Sequence, residues 1–201
     1  MKHKQTAYVI LGLLSIEPHQ SGYDIRKTIQ GSIGYFWGES YGQIYPTLKR
    51  LAAEGLIAPR KSTSTARPQR LEYSLTTAGH ACLNVWLAVP YRDDPPRDEF
   101  LLKLFFGREA APSVSIGHIR EFQNKNRRLL CTLQMLETLG RARNANHPHF
   151  PFWMLTLTYG VAQIRAALEW SETALATLTI AERDAAPNPQ SNDTNAVAND
   201  A

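Results

Sequence analysis

The chain has little cysteine. Its two thiols, Cys82 and Cys131, lie far apart and outside any C-x-x-C or Cys/His ligand spacing, which excludes a disulfide scaffold and a structural zinc site. A reducing, cytoplasmic setting is expected. Long apolar runs are also missing. The uncharged stretch from Phe150 to Ile164 is closed by Arg165 and Glu169, short of the ~20 residues of a membrane span. Lys2 and Lys4 ahead of the apolar run Ala7 to Ile16 imitate a secretion signal, yet Glu17-Pro18-His19-Gln20 offers no small-x-small cleavage site. No membrane segment is expected.

Enzyme signatures are absent as well: there is no P-loop, G-x-G-x-x-G, H-E-x-x-H or G-x-S-x-G. His147 and His149 offer two imidazoles without a third ligand at a useful spacing. His80 and His118 have no identifiable partner for acid/base work. Cys82 and Cys131 each sit among apolar neighbours and read as small core residues. No catalytic residue, metal or cofactor is expected.

An overall excess of one charge is nearly lacking, since 22 Lys plus Arg face 18 Asp plus Glu. The charge is unevenly placed, however. Through Pro90 there are ten basic residues (Lys2, Lys4, Arg26, Lys27, Lys49, Arg50, Arg60, Lys61, Arg67, Arg70) against five acids; the remainder has twelve against thirteen. A basic half beside a balanced one suggests that the first meets a polyanion. The proline-rich segment 90–96 marks a boundary, and from Ala185 onward apolar mass disappears. The expected organisation is a domain at 1–90, a helical domain at 91–184 and a disordered tail at 185–201.

The first half alternates helices with a short β unit. Residues 5–16 are apolar on nearly every face and suit a buried helix. Ser21 caps a second helix with Ile25 and Ile29 inside, broken at Gly31 and Gly34. Ser40-x-x-Gln43 has the form of a capping box for a third helix. There Ile44, Leu48 and Leu51 give an inner face, and Gly55 ends it. Gln43, Tyr45, Pro46, Lys49 and Arg50 fall on the outer half, and Pro46 either distorts the first turn or begins the helix.

Leu56 to Lys61 and Leu71 to Leu75 read as strands around a polar loop, 62–69, flanked by bases. Thr76 or Thr77 then caps a helix carrying Leu83, Trp86 and Leu87. The order helix, helix, helix, strand, basic loop, strand, helix is that of a winged helix-turn-helix. The fold class is mostly α with a small β wing.

A helix fits the ~12 Å major groove, where side chains with paired donors and acceptors distinguish base pairs. Gln43 and Arg50 have that chemistry, and Lys49 can hold a phosphate. Lys61, Arg67 and Arg70 at the loop can reach backbone or minor groove, with Lys2 and Lys4 as further phosphate contacts. Tyr23 and Ser40 complete the set of expected contacts. The alternative is a solvated basic face on a small domain.

At Tyr41-Gly42-Gln43-Ile44-Tyr45-Pro46-Thr47-Leu48-Lys49-Arg50-Leu51 the sequence resembles the PadR family of transcriptional regulators, in the GQIYP-x-L-x-x-L pattern of its recognition helix. Ile10-Leu11-Gly12-Leu13-Leu14 with Ser21-Gly22-Tyr23-Asp24-Ile25, and Glu72-Tyr73-Ser74-Leu75-Thr76-Thr77-Ala78-Gly79, are similar to the family's opening and to its last wing strand and following helix. Asp98 to Phe106 and Leu168-Glu169-Trp170 resemble the longer subgroup with a helical C-terminal domain, which includes virulence-gene activators of the AphA type. The resemblance implies a homodimer binding operator DNA, mostly as a repressor, with release by phenolic acids or planar aromatic drugs in some members. The wing departs from the family pattern: Thr65-Ala66-Arg67-Pro68 stands in place of a glycine-rich tip.

In the second half, Ile119, Phe122, Leu129, Leu133 and Leu136 form a stripe on one long helix. Leu157, Val161, Ile164, Leu168, Leu175 and Leu178 form another. Packing against a partner chain is the economical explanation, with an intrachain hairpin as the alternative. Phe152, Trp153, Tyr159 and Trp170 are candidates to line a site for a small aromatic effector, the alternative being that they are core. The reading from a different class is a protein-interaction adaptor whose helical half recruits a partner.

Overall fold

Ile10, Leu11 and Leu14 are buried along α1 (Gln5–Ile16), and the helices that follow are arranged around them. This computed structural model describes residues 5–38, 41–61, 70–91 and 97–185, without the side chains of Tyr41, residue 181 and residues 183–185. Lys2, Lys4, Ser40 and Arg67 therefore lie outside the described residues. So does the expected tail, apart from Ala185, the last residue of a helix. The chain divides into two compact units, residues 1–94 and 95–201.

In the first unit a two-residue strand β1 (Gln20–Ser21) leads into α2 (Gly22–Gly31). Ser21 and Asp24 form a reciprocal capping box: the Ser21 hydroxyl accepts from the Asp24 N–H, and the Asp24 carboxylate accepts from the Ser21 N–H at 3.0 Å. Two of the orphan amides at the helix start are thereby satisfied. The buried Gln20 side chain donates to the carbonyls of Leu13 and Glu17 and accepts from Thr28, so one amide ties α1 to α2.

The next helix, α3 (Ile44–Ala53), is preceded by a 3-10 turn, Tyr41–Gln43. Gln43 is the cap residue of α3 and makes no side-chain cap bond; Ser40, the other half of the expected capping box, lies outside the described residues. Proline explains the later start. With Ile44 first, Pro46 falls among the positions whose N–H has no helical partner, so its missing donor costs nothing. The far end closes on Gly55 at φ +72°, with Gly55 N–H donating to Ala52 and Leu56 N–H to Leu51 at 2.9 Å. That double bond is the Schellman arrangement, and its left-handed residue favours glycine.

Strands β2 (Ile57–Lys61) and β3 (Leu71–Leu75) pair antiparallel, from Ile57 opposite Leu75 to Lys61 opposite Leu71. β1 adds to the other edge of β3, giving the order β1-β3-β2. Thr76 caps α4 (Thr77–Ala88), accepting from the Gly79 N–H while its hydroxyl donates to the Gly55 carbonyl at 2.8 Å. Trp86 stacks on Tyr8 of α1 at 4.5 Å. Leu83 is buried, but Leu87, read with it from sequence, is exposed.

In the second unit Asp98 caps α5 (Glu99–Phe105), accepting from the N–H groups of Phe100 and Leu101. Lys103 and Glu99 pair one turn apart at 2.8 Å; this contact draws the Glu99 carboxyl below its ordinary range and lifts the Lys103 ammonium. Two long helices follow, α6 (Pro112–Asn144) and α7 (Phe150–Ala185). They pack on each other as a hairpin that buries Ile119, Leu133, Val161 and Ile164.

The two stripes meet in this hairpin, as the intrachain alternative has it, while Phe122, Leu129, Leu136, Leu157, Leu168, Leu175 and Leu178 remain half-buried in the single chain. Cys131 is corrected too. It is exposed on α6 rather than buried, while Cys82 packs beside the first unit's core. No described helix is long and apolar enough to cross a membrane.

Candidate nucleic-acid interface

Helix α3 divides cleanly by face. Ile44, Thr47, Leu48 and Leu51 are buried, whereas Gln43, Tyr45, Pro46 and Lys49 are exposed. Six of the apolar positions of α1, α2 and α3 are fully enclosed, Leu48 and Leu51 among them. The outer residues are therefore displayed by a helix whose orientation is fixed by packing. Lys49 makes no ion pair among the described residues.

Tyr45 is 57% exposed, yet its inner edge rests on the first residue of α2. A Cβ on Gly22 would come within 2.7 Å of Tyr45 Cε1 and 3.2 Å of Leu48 Cδ1. The missing side chain at Gly22 lets the two helices approach this closely. Tyr73 of β3 is buried, and burial together with Tyr45 pushes its hydroxyl above the ordinary phenol range.

Arg50 is the least free of the expected contacts. Its Nε lies 4.0 Å from Glu54 Oε1, and Nε and Nη2 are enclosed without a hydrogen-bond partner. The side chain as a whole is 39% exposed, so an acceptor from outside can still reach the guanidinium.

At the wing, Lys61 ends β2 and is exposed, while Arg60 pairs across the strands with Glu72 at 3.2 Å. Arg70, just before β3, places its guanidinium carbon 5.3 Å from the centre of the Tyr23 ring. Two residues named separately from sequence, Tyr23 and Arg70, are thus in contact. The pairing was not legible because it joins the second helix to the wing across more than forty residues.

Comparison with known proteins locates this geometry. The family described as transcriptional regulator PadR-like matches residues 10–85, and the one described as virulence activator alpha C-term matches residues 96–179. The negative transcriptional regulator PadR of Bacillus subtilis is 31% identical over 175 residues, covering 84% of this chain and 94% of that protein. The chain belongs to the PadR-like family of transcriptional regulators.

Three solved structures agree along almost their whole length. Bacillus subtilis PadR in complex with operator DNA superposes with a TM-score of 0.75 at 29% identity, over 87% of this chain and 99% of that one. The same protein has been solved with p-coumaric acid, with a TM-score of 0.70 at 30% identity over 88% and 99%. The Vibrio cholerae virulence activator AphA gives 0.69 at 29% identity, again over 88% and 99%. As a PadR-type regulator the chain is a winged-helix protein with a helical C-terminal part, and its relatives are regulators rather than enzymes.

The four aromatics proposed around an effector do not converge in the PadR-like C-terminal unit. Phe152, Trp153 and Tyr159 lie in the first turns of α7, with Phe152 and Tyr159 exposed and Trp153 stacked on His147 at 4.6 Å. Trp170 lies seventeen residues on, roughly 25 Å along a helix rising 1.5 Å per residue. There it meets the stacked pair Phe100 and Phe122 edge-on, at 6.0 Å from each. The rings of His147 and His149 are 5.6 Å apart, and no cluster of three metal-ligating side chains occurs among the described residues.

Proposed function

We propose that this PadR-type regulator is a homodimeric, cytoplasmic repressor that binds a palindromic operator through α3 and the wing and is released by a small aromatic effector. In this reading residues 1–90 contact DNA and residues 91–184 dimerise and sense. The observation that carries it is the face division of α3: Gln43, Tyr45, Pro46 and Lys49 stand outward on a helix anchored by Ile44, Leu48 and Leu51. The family relative solved in complex with operator DNA supports DNA as the partner.

Each contact has a role. Gln43 presents a paired donor and acceptor suited to a base edge, and Arg50 swings from Glu54 to a guanine or a phosphate. Tyr45 and Pro46 give apolar surface for thymine methyl groups. Lys49 and Lys61 hold phosphates, and Arg70, braced by Tyr23, does the same at the wing. Ser40 and Arg67, outside the described residues, remain further expected contacts.

Dimerisation is supported by apolar surface outside the hairpin seam. Leu101, Leu102, Phe105 and Phe106 of the α5 segment are all exposed, Phe105 at 82%. Contiguous exposed apolar surface of this kind marks an interaction site, and a two-fold protein gains affinity from two half-sites ~34 Å apart. The effector reading keeps Phe152, Trp153 and Tyr159 as one aromatic group, with Trp170 apart from it, and draws on the relative solved with p-coumaric acid. The deciding test is a comparison of affinity for the DNA upstream of the protein's own gene with that for an unrelated fragment of equal length. Preference for the upstream DNA supports the regulator; equal affinity sinks sequence-specific binding.

A further inference from the structure

Within the C-terminal unit a cleft of about 570 Å³ lies between the segment leading into α6 and the second half of α7. Its size falls in the range of small-molecule sites. Leu104 and Ile119 form one side, and Ala174 and Leu178 the other, with Trp170 at one end. Arg108 is the ionic side chain among the residues that line it, and it makes no ion pair among the described residues.

The position of Arg108 is set by its neighbour. A Cβ on Gly107 would come within 2.8 Å of Ser115 Oγ, so the turn rests directly on the start of α6. The Ser115 side chain, almost fully buried, borders the same cleft. Thr173 and Thr177 also line it, but their hydroxyls already donate to the carbonyls of Glu169 and Thr173. They can only accept. The donors that the lining side chains leave for a ligand are the Trp170 indole N–H at one end and, where the turn meets the start of α6, the Arg108 guanidinium and the Ser115 hydroxyl.

We propose that this cleft binds an aliphatic monocarboxylate, its carboxylate on Arg108 and Ser115 and its chain along Ile119, Ala174 and Leu178. Charge complementarity selects the acid, because a guanidinium recognises a carboxylate through paired charge-assisted hydrogen bonds. An aliphatic body fits better than a stacked ring, since Trp170 is the one aromatic side chain among the lining residues and is already in edge contact with Phe100 and Phe122, and the apolar side chains beside it are aliphatic. The site is separate from the aromatic group at the start of α7 and does not depend on the DNA reading.

Calorimetric titration of the full chain with octanoate, and in parallel with 1-octanol, tests the proposal. The expected result is saturable binding of one octanoate per chain, weakened about tenfold or more by Arg108→Gln, with octanol binding left unchanged by that variant. Ala174→Phe should fill the cleft and abolish both. Thr177→Phe replaces it if Ala174→Phe lowers the melting temperature. Absence of saturable octanoate binding overturns the proposal, as would binding that survives the filling variant. Equal weakening of octanoate and octanol by Arg108→Gln overturns the carboxylate assignment.

Discussion

Arg70 stacks its guanidinium over the ring of Tyr23, 5.3 Å from the centroid, and so links the base of the wing to the second helix. A cation held on a ring keeps its charge while losing freedom, and such contacts are worth ~0.5 to 1 kcal/mol where exposed. Tyr23→Ala should leave the fold intact and weaken DNA binding only a few-fold, whereas Arg70→Ala removes both the brace and the phosphate contact. Binding titrations of the two variants check the order: Arg70→Ala must be the more damaging. The reverse order would mean that Tyr23 itself makes the main contact.

Gly22 and Gly79 separate recognition from stability. Alanine at Gly22 meets the Tyr45 ring, which is exposed and able to turn aside, so the main consequence should be displaced Tyr45 and weaker DNA binding. Alanine at Gly79 meets the Leu56 carbonyl oxygen, which is backbone. Overpacking of that kind destabilises by ~1 to 3 kcal/mol. Thermal melts and binding titrations on both variants should show melting lowered chiefly in Gly79→Ala and affinity lowered chiefly in Gly22→Ala.

Helix starts and stops were legible where one local interaction decides them. Ser21 with Asp24, Thr76 with Gly79, and Gly55 at positive φ occupy the positions read from sequence because caps depend on residues within one turn. The start of α3 was legible only in outline: a 3-10 turn, Tyr41–Gln43, precedes the α-helix, as the distorted first turn expected from Pro46 allows. β1 could not be seen: two residues have no alternation, and Gln20 pairs with Tyr73 more than fifty positions away.

The same limit governs the site. The outward set on α3 followed from helical periodicity alone, but the cross-strand pair of Arg60 with Glu72 and the contact of Trp170 with Phe100 and Phe122 are tertiary facts. Amphipathic stripes tell that a helix is covered and not by what. In α6 and α7 the other helix of the same chain buries Ile119, Leu133, Val161 and Ile164 and leaves the rest of both stripes half-buried.

The exposed α5 surface gives a prediction about assembly. Light scattering at micromolar concentration should return the mass of two chains, and Phe105→Asp combined with Phe106→Asp should shift it toward one without loss of helical circular dichroism. A monomeric mass for the wild-type chain would remove the dimer.

Electrostatics gives a further one. If roughly six phosphates are neutralised, log K should fall against log salt with a slope of about −5. Lys61→Ala should make that slope shallower by about one while weakening specific and unspecific DNA alike. An unchanged slope would place Lys61 away from the backbone.

The most direct test of the whole account is a gel-shift titration of the upstream DNA with wild type and with Lys49→Ala plus Arg50→Ala. Both side chains are on the outer half of α3, and Leu48 and Leu51 beneath them are untouched, so the variant should fold normally. The account predicts a loss of affinity on the order of a hundredfold, as one phosphate and one base contact disappear together. Unchanged binding by the doubly substituted protein would contradict it, because the recognition face would then lie elsewhere.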